Sequence, residues 1–174
     1  MPPASPEFHP LNICVLTVSD TRNLETDSSG SYLVASLQNE GHRLYGRELV
    51  VDSIYAIRAV VSQWIADPHA QAIVITGGTG FSGRDSTPEA ITPLLDKEVV
   101  GFGELFRHVS FAEIGTSTLQ SRALAGLANR TVIFCLPGST GACKTGWTQL
   151  VGPQLDSRTR PCNFYPQIAL TPKP

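Results

Sequence analysis

The sequence predicts an α/β fold on a mainly parallel, doubly wound sheet. Strand-length apolar runs alternate along the 174 residues with stretches of helical period. One such run, Ala72-Ile73-Val74-Ile75, enters a glycine-rich loop that leaves through a helix start, Thr87-Pro88-Glu89-Ala90. No internal repeat or linker divides the chain, so residues 11–170 are expected to form a single domain behind a flexible, Pro-rich arm at 1–10.

Taken in order, Leu11 to Val18 is dense in Ile, Val and Leu and reads as a buried strand. Ser31 to Glu40 carries Leu33, Val34 and Leu37 at helical spacing, with Gly41 as its stop. A strand over about Arg43 to Val51 leads to Asp52-Ser53, where Ser53 can cap the next helix. That helix has the clearest pattern in the chain: Ile54, Ile57, Val60, Val61, Trp64 and Ile65. Asp67-Pro68 closes it, and Ala72 to Thr76 follows as a third strand. Beyond the glycine loop, Thr87 reads as a cap and Pro88 as the first helical residue. Gly101 to Ala112 reads as a helix with Phe102, Leu105, Phe106 and Val109 on one face, and Leu119 to Ala128 as a short further helix. Thr131 to Leu136 is an apolar strand. Pro137-Gly138-Ser139 then turns the chain into a last helix that Gly152-Pro153 is expected to kink.

A net charge of −2 argues against a broad nucleic-acid footprint, although it leaves room for a local anion pocket. No apolar stretch approaches the roughly 20 residues of a membrane span, and Met1 to Pro10 lacks a signal-peptide pattern. A cytosolic protein is therefore expected. Cys14, Cys135, Cys143 and Cys162 form no CxxC pair, which weakens a zinc reading and favours reduced structural thiols. His9, His42, His69 and His108 are too scattered to suggest a triad or a metal cluster.

The chemistry concentrates in Thr76-Gly77-Gly78-Thr79-Gly80-Phe81-Ser82-Gly83-Arg84-Asp85. Glycines let the backbone approach a ligand, and their N–H groups beside a helix start suit an anion, typically phosphate. Asp20, Asp52 and Asp85 each follow a strand, and in a doubly wound sheet they converge on one edge. Carboxylates beside a phosphate site most often hold magnesium, although Asp52 reads equally well as a helix cap. Two generic motifs fit poorly. Gly78-x-Gly80-x-x-Gly83 matches a dinucleotide fingerprint but sits after two strand–helix units, and Arg84-Asp85 stands where a P-loop needs Lys-Ser/Thr.

Through TGGTG…RD.TPEA the chain resembles the MoaB/MogA family of molybdenum cofactor biosynthesis proteins. The likeness runs from Val18-Ser19-Asp20 to the Pro137-Gly138 turn. It is carried further by Gly101-Phe102-Gly103-Glu104, by Gly115 to Arg122 and by Arg158 to Phe164. It implies a three-layer α/β/α, molybdopterin-binding fold. Active relatives adenylylate the terminal phosphate of molybdopterin with Mg-ATP. On that pattern Asp52 and Asp85 match the catalytic acidic residues, which would also hold Mg2+. Ser19, Asp20, Thr76, Gly77, Gly78, Thr79, Gly80, Ser110, Pro137, Gly138 and Ser139 match positions around the pterin and its phosphate.

One departure matters. Relatives that adenylylate usually carry Asn two residues before the Pro-Gly turn, and this chain has Cys135. A thiol cannot reproduce an amide's two-way hydrogen bonding to a pterin edge. Three readings stay open: a molybdopterin adenylyltransferase, a non-catalytic molybdopterin carrier, and a purely structural subunit of a larger assembly. The resemblance also implies a homotrimer or a hexamer. Trp147, Phe102, Leu105, Phe106 and Phe111 lend support as apolar residues in excess of what one core face uses.

Overall fold

In a computed structural model of the chain, which describes residues 7–169, the apolar runs lie side by side as strands. They are β1 (Asn12–Val18), β2 (Arg43–Val50), β3 (Ala72–Thr76), β4 (Lys97–Glu98), β5 (Leu124–Ala128) and β6 (Thr131–Leu136). One six-stranded sheet joins them in the order β2-β1-β3-β6-β5-β4. The pairs β1–β2, β1–β3 and β3–β6 are parallel, whereas β5 and β4 extend the sheet antiparallel. The helices are α1 (Ser28–Asn39), α2 (Ile54–Ala66), α3 (Thr87–Ile91), α4 (Val100–Ile114), α5 (Thr140–Gly146), α6 (Gly152–Leu155) and α7 (Tyr165–Ile168).

Strand alternation divides the core into two. Ile13, Val15, Val74, Val132 and Phe134 point to one face, where α1, α4 and α5 bring Leu33, Leu37, Phe106 and Cys143. Cys14, Leu16, Ile73, Ile75 and Ile133 point to the other, where α2 and α3 bring Ile57, Val61, Ala90 and Ile91. Helices on both faces make the expected α/β/α sandwich. Side chains this completely buried each contribute about 1.5–3 kcal/mol.

Local chemistry sets the ends of the elements. Asp27 caps α1 by accepting the Gly30 N–H at 2.9 Å. At its far end, His42 N–H reaches Leu37 O and Gly41 N–H reaches Gln38 O, a Schellman stop. One placement shifts by a residue, with Ser86 rather than Thr87 at the N-cap position of α3; Ser53 holds the N-cap position of α2 as expected but makes no side-chain cap bond.

The helix expected over Leu119 to Ala128 is absent. Gly115–Gln120 is a 3₁₀ segment, and Leu124–Ala128 pairs with β6 as a strand. Asn129 and Arg130, both at positive φ, form the two-residue turn between β5 and β6, which is how a tight hairpin matches strand twist. At Gly152-Pro153, where a kink is expected, the chain remains helical, and the hydrogen-bond pattern changes upstream instead. The helix widens into a π-turn at Trp147–Val151, one turn before the ring of Pro153 would clash with the backbone.

Of the expected flexible arm at 1–10, residues 1–6 lie outside the described residues. Residues 7–10 are docked rather than loose. His9 stacks on Tyr165 at 4.9 Å, its N–H donates to Ser157 Oγ, and the Arg158 guanidinium lies over Phe8.

Candidate functional site

The chain runs from β1 to β2 in one direction across the sheet and to β3 in the other, so β1 and β3 flank the switch point. Ligands bind there, outside the carboxyl ends of parallel strands. A cleft of about 360 Å³ opens at that place.

Three strand ends supply one side of it. Thr17, Val18 and Ser19 come from β1, Thr76 to Gly80 from β3, and Pro137, Gly138 and Ser139 from the end of β6. The opposite wall comes from α4 and the 3₁₀ segment, with Phe106, Ser110, Ile114, Ser117, Gln120 and Ser121. Among the sequence-predicted residues, Ser19, Thr76, Gly77, Gly78, Thr79, Gly80, Asp85, Ser110, Pro137, Gly138 and Ser139 are thus brought together.

The loop after β3 needs its glycines. Gly77 has φ +104° and Gly78 has φ +67°. A Cβ on the first would strike the Val18 carbonyl, and one on the second the Thr87 hydroxyl. Thr87 fixes the loop from inside, its hydroxyl donating to Gly77 O at 2.7 Å and its N–H to Gly78 O at 2.9 Å. The N–H groups of Gly78, Thr79 and Gly80 meet no acceptor among the described residues, whereas Gly77 N–H continues the sheet ladder to Leu136 O.

Asp52 and Asp85 flank this loop. Asp52 Oδ2 lies 2.7 Å from where a Cβ on Gly78 would stand, and Asp85 Oδ2 lies 2.8 Å from the same point on Gly80. Asp52 Oδ1 accepts the Ser86 N–H at 3.0 Å and the Ser86 hydroxyl at 2.5 Å, so Asp52 anchors the far end of the loop rather than capping α2. Asp85 Oδ2 accepts the Ser82 N–H at 2.8 Å. Among the described residues, Asp52 Oδ2 and Asp85 Oδ1 accept no hydrogen bond.

Asp20 sits elsewhere than expected. It does not line the cleft, and neither does Asp52. Its carboxylate takes the fork of Arg84 at 2.9 and 2.8 Å and also the Asp52 N–H at 2.9 Å. The Arg84 hydrogen bonds and that N–H hold the Asp20 carboxyl below the usual range. Asp20 thereby ties the loop after β1 to the glycine loop. Ser19 is similarly structural on one side, its hydroxyl accepting the Thr21 and Arg22 N–H groups.

Cys135 corrects the sequence reading. It is fully buried, paired across the sheet with Ile75 and Leu124, and packed in the α2–α3 core. Burial pushes its thiol upward. No part of it lines the cleft, because alternation along β6 turns position 135 away from the face that meets the ligand side.

Sequence reasoning missed several wall residues. Ser121 Oγ is buried with no partner among the described residues. Arg22 lines the cleft with its guanidinium on Ser28 Oγ at 2.9 Å. Arg122 holds the glycine loop through four contacts: its N–H to Thr79 O, Nε to Gly80 O, Nη2 to Asp85 O, and an ion pair with Glu89. The one signal for Ser121 and Arg122 was the Ser-Arg step that closes the segment from Gly115, whereas Arg22 belongs to the polar run Ser19-Asp20-Thr21-Arg22 at the end of the first strand, the edge where ligands bind.

Comparisons with known proteins identify the family and the fold. The family described as a probable molybdopterin binding domain matches residues 14–157. Molybdenum cofactor biosynthesis protein B of Escherichia coli strain K12 is 56% identical over 168 residues, covering 97% of this chain and 99% of that one. The protein of the same name from Bacillus subtilis strain 168 is 44% identical over 142 residues, covering 81% and 84%. Among solved structures, the tungsten cofactor synthesizing protein MoaB from Pyrococcus furiosus superposes with a TM-score of 0.71 at 36% identity, covering 82% of this chain and 91% of that one.

Proposed function

We propose, from the premise that this chain belongs to the molybdopterin-binding family of molybdenum cofactor biosynthesis proteins, that its cleft binds molybdopterin and adenylylates the terminal phosphate with Mg-ATP. The observation that carries the reading is the placing of Asp52 and Asp85 on either side of a glycine loop with open N–H groups. In the reaction, an oxygen of the pterin's phosphate attacks the α-phosphorus of ATP. A new P–O bond forms, the bond from the α-phosphorus to the β-bridging oxygen breaks, and pyrophosphate leaves.

Such transfer is mainly positioning and charge stabilisation. The N–H groups of Gly78, Thr79 and Gly80 orient phosphate oxygens. The Arg22 guanidinium offers a cation on the β1 side of the cleft. The serine wall receives the pterin. Asp85 Oδ1, which accepts no hydrogen bond among the described residues, with Asp52 Oδ2 behind the loop, would hold a magnesium ion, which generally takes one or two carboxylates. Such an ion would neutralise charge on the phosphates. Pyrophosphate release that requires both molybdopterin and Mg-ATP tests the reading; release with ATP alone counts against it.

The carrier reading rested on Cys135 as a contact to the pterin. With that thiol in the core, the reading loses the feature that motivated it. We further propose a closed homo-oligomer, a trimer or its dimer, working in the cytosol. Trp147 no longer supports it, because Trp147 is buried and donates to Glu40 Oε1, and Phe102 and Phe106 are core residues. Support comes instead from the exposed apolar side chains of Leu105, Phe111, Ile114 and Leu119 on α4 and the 3₁₀ segment.

A further inference from the structure

Arg122 stands where two halves of the cleft meet. The residue before it, Ser121, belongs to the wall opposite the strand ends and keeps a buried hydroxyl with no partner among the described residues. Arg107 Nη1 donates to the Ser121 carbonyl at 3.2 Å and so fixes the wall from behind. The Arg122 side chain, three-quarters covered, leaves the wall and reaches the glycine loop. Nε donates to Gly80 O at 2.9 Å and Nη2 to Asp85 O at 3.1 Å, while Nη1 pairs with Glu89 on α3; the backbone N–H of Arg122 adds a bond to Thr79 O at 3.0 Å. The ring of Phe81 closes over the guanidinium at 5.2 Å. Three acceptors in three directions need a planar fork, which a lysine ammonium cannot supply.

We propose that Arg122 is a positioning residue that couples the serine-lined wall to the Asp85 half of the cleft, so that a ligand on the wall sets the loop carrying Asp85. Its consequence for turnover rests on the adenylyl-transfer reading; its consequence for loop order does not. Arg122 touches neither the cleft lumen nor a reacting group, so it acts through the Gly80 and Asp85 carbonyls.

Hydrogen exchange and kinetics on Arg122→Lys and Arg122→Ala decide the matter. In the ligand-free protein, amide exchange over residues 78–86 is expected to rise about tenfold or more in both variants, with β3 and β6 unchanged. In the wild type, molybdopterin is expected to slow exchange in that loop; in Arg122→Lys the pterin still binds by calorimetry but no longer protects it. Turnover is expected to fall about a hundredfold while the pterin KM moves less than about threefold. Added guanidinium is expected to restore part of the rate to Arg122→Ala. Loop exchange unchanged in both variants, or Arg122→Lys indistinguishable from wild type, overturns the proposal. If Arg122→Ala fails to fold, Arg122→Lys carries the test. A wild type without turnover sinks the adenylyl-transfer reading alone, and the exchange data still decide the coupling.

Discussion

At the scale of single residues, the two carboxylates beside the glycine loop have different work. Asp52 spends one oxygen on Ser86 and its own N–H on Asp20, so it is built into the frame. Asp85 is held by one N–H, from Ser82, and lines the cleft. Asp85→Asn keeps the shape and an acceptor for Ser82 while removing the charge. It is expected to lower kcat by about 10²–10³, the range for loss of one preorganised electrostatic contact. Calorimetry should find molybdopterin binding nearly unchanged; equal loss of binding and turnover would assign Asp85 to ligand affinity instead. Cys135 makes the opposite case. An amide there would enter an apolar core and need new partners, so Cys135→Asn is expected to cost about 1–3 kcal/mol in urea unfolding without raising turnover. A gain of activity with stability intact would return position 135 to the cleft.

At the scale of elements, the loop from Gly77 to Ser86 is the part the sequence made most legible. Its glycines, its Arg-Asp step and its exit at Thr87-Pro88 are local signals, and local signals survive folding. Ala at position 78 meets both a positive φ and the Thr87 hydroxyl. Gly78→Ala is therefore expected to lose about 1–3 kcal/mol, read as a lower midpoint in urea; unchanged stability would mean that the loop has another conformation. The β5–β6 hairpin was illegible for the converse reason. Leu124 to Ala128 is a run of small and apolar residues without a clear period, and Asn129-Arg130 lacks the glycine that marks most two-residue turns. Pairing with β6 and the close approach of Leu95 over Gly126 decide its conformation, and both are tertiary. The role of Arg122 escaped notice likewise, because its four partners, three in the loop and Glu89 on α3, lie 33 to 43 residues away in sequence.

At the scale of the whole molecule, the strand order puts the ends of β1, β3 and β6 around one cleft, and α4 closes it from the far side. The parallel half of the sheet was foreseeable from alternation of strands and helices; the antiparallel edge that brings Ser121 and Arg122 to the cleft was not. The apolar band of Phe111, Ile114 and Leu119 runs beside the cleft wall, and covering it is what the proposed oligomer does. Light scattering is expected to give three or six times the 18.7 kDa chain mass; a monomer mass at micromolar concentration refutes the assembly. Incubating the protein with molybdopterin and Mg-ATP and identifying the pterin product by mass decides whether this cleft adenylylates. Molybdopterin carrying one added adenylyl group is expected, formed together with an equal amount of pyrophosphate. Unmodified molybdopterin, under conditions where an authentic adenylyltransferase of this family converts it, would rule adenylyl transfer out.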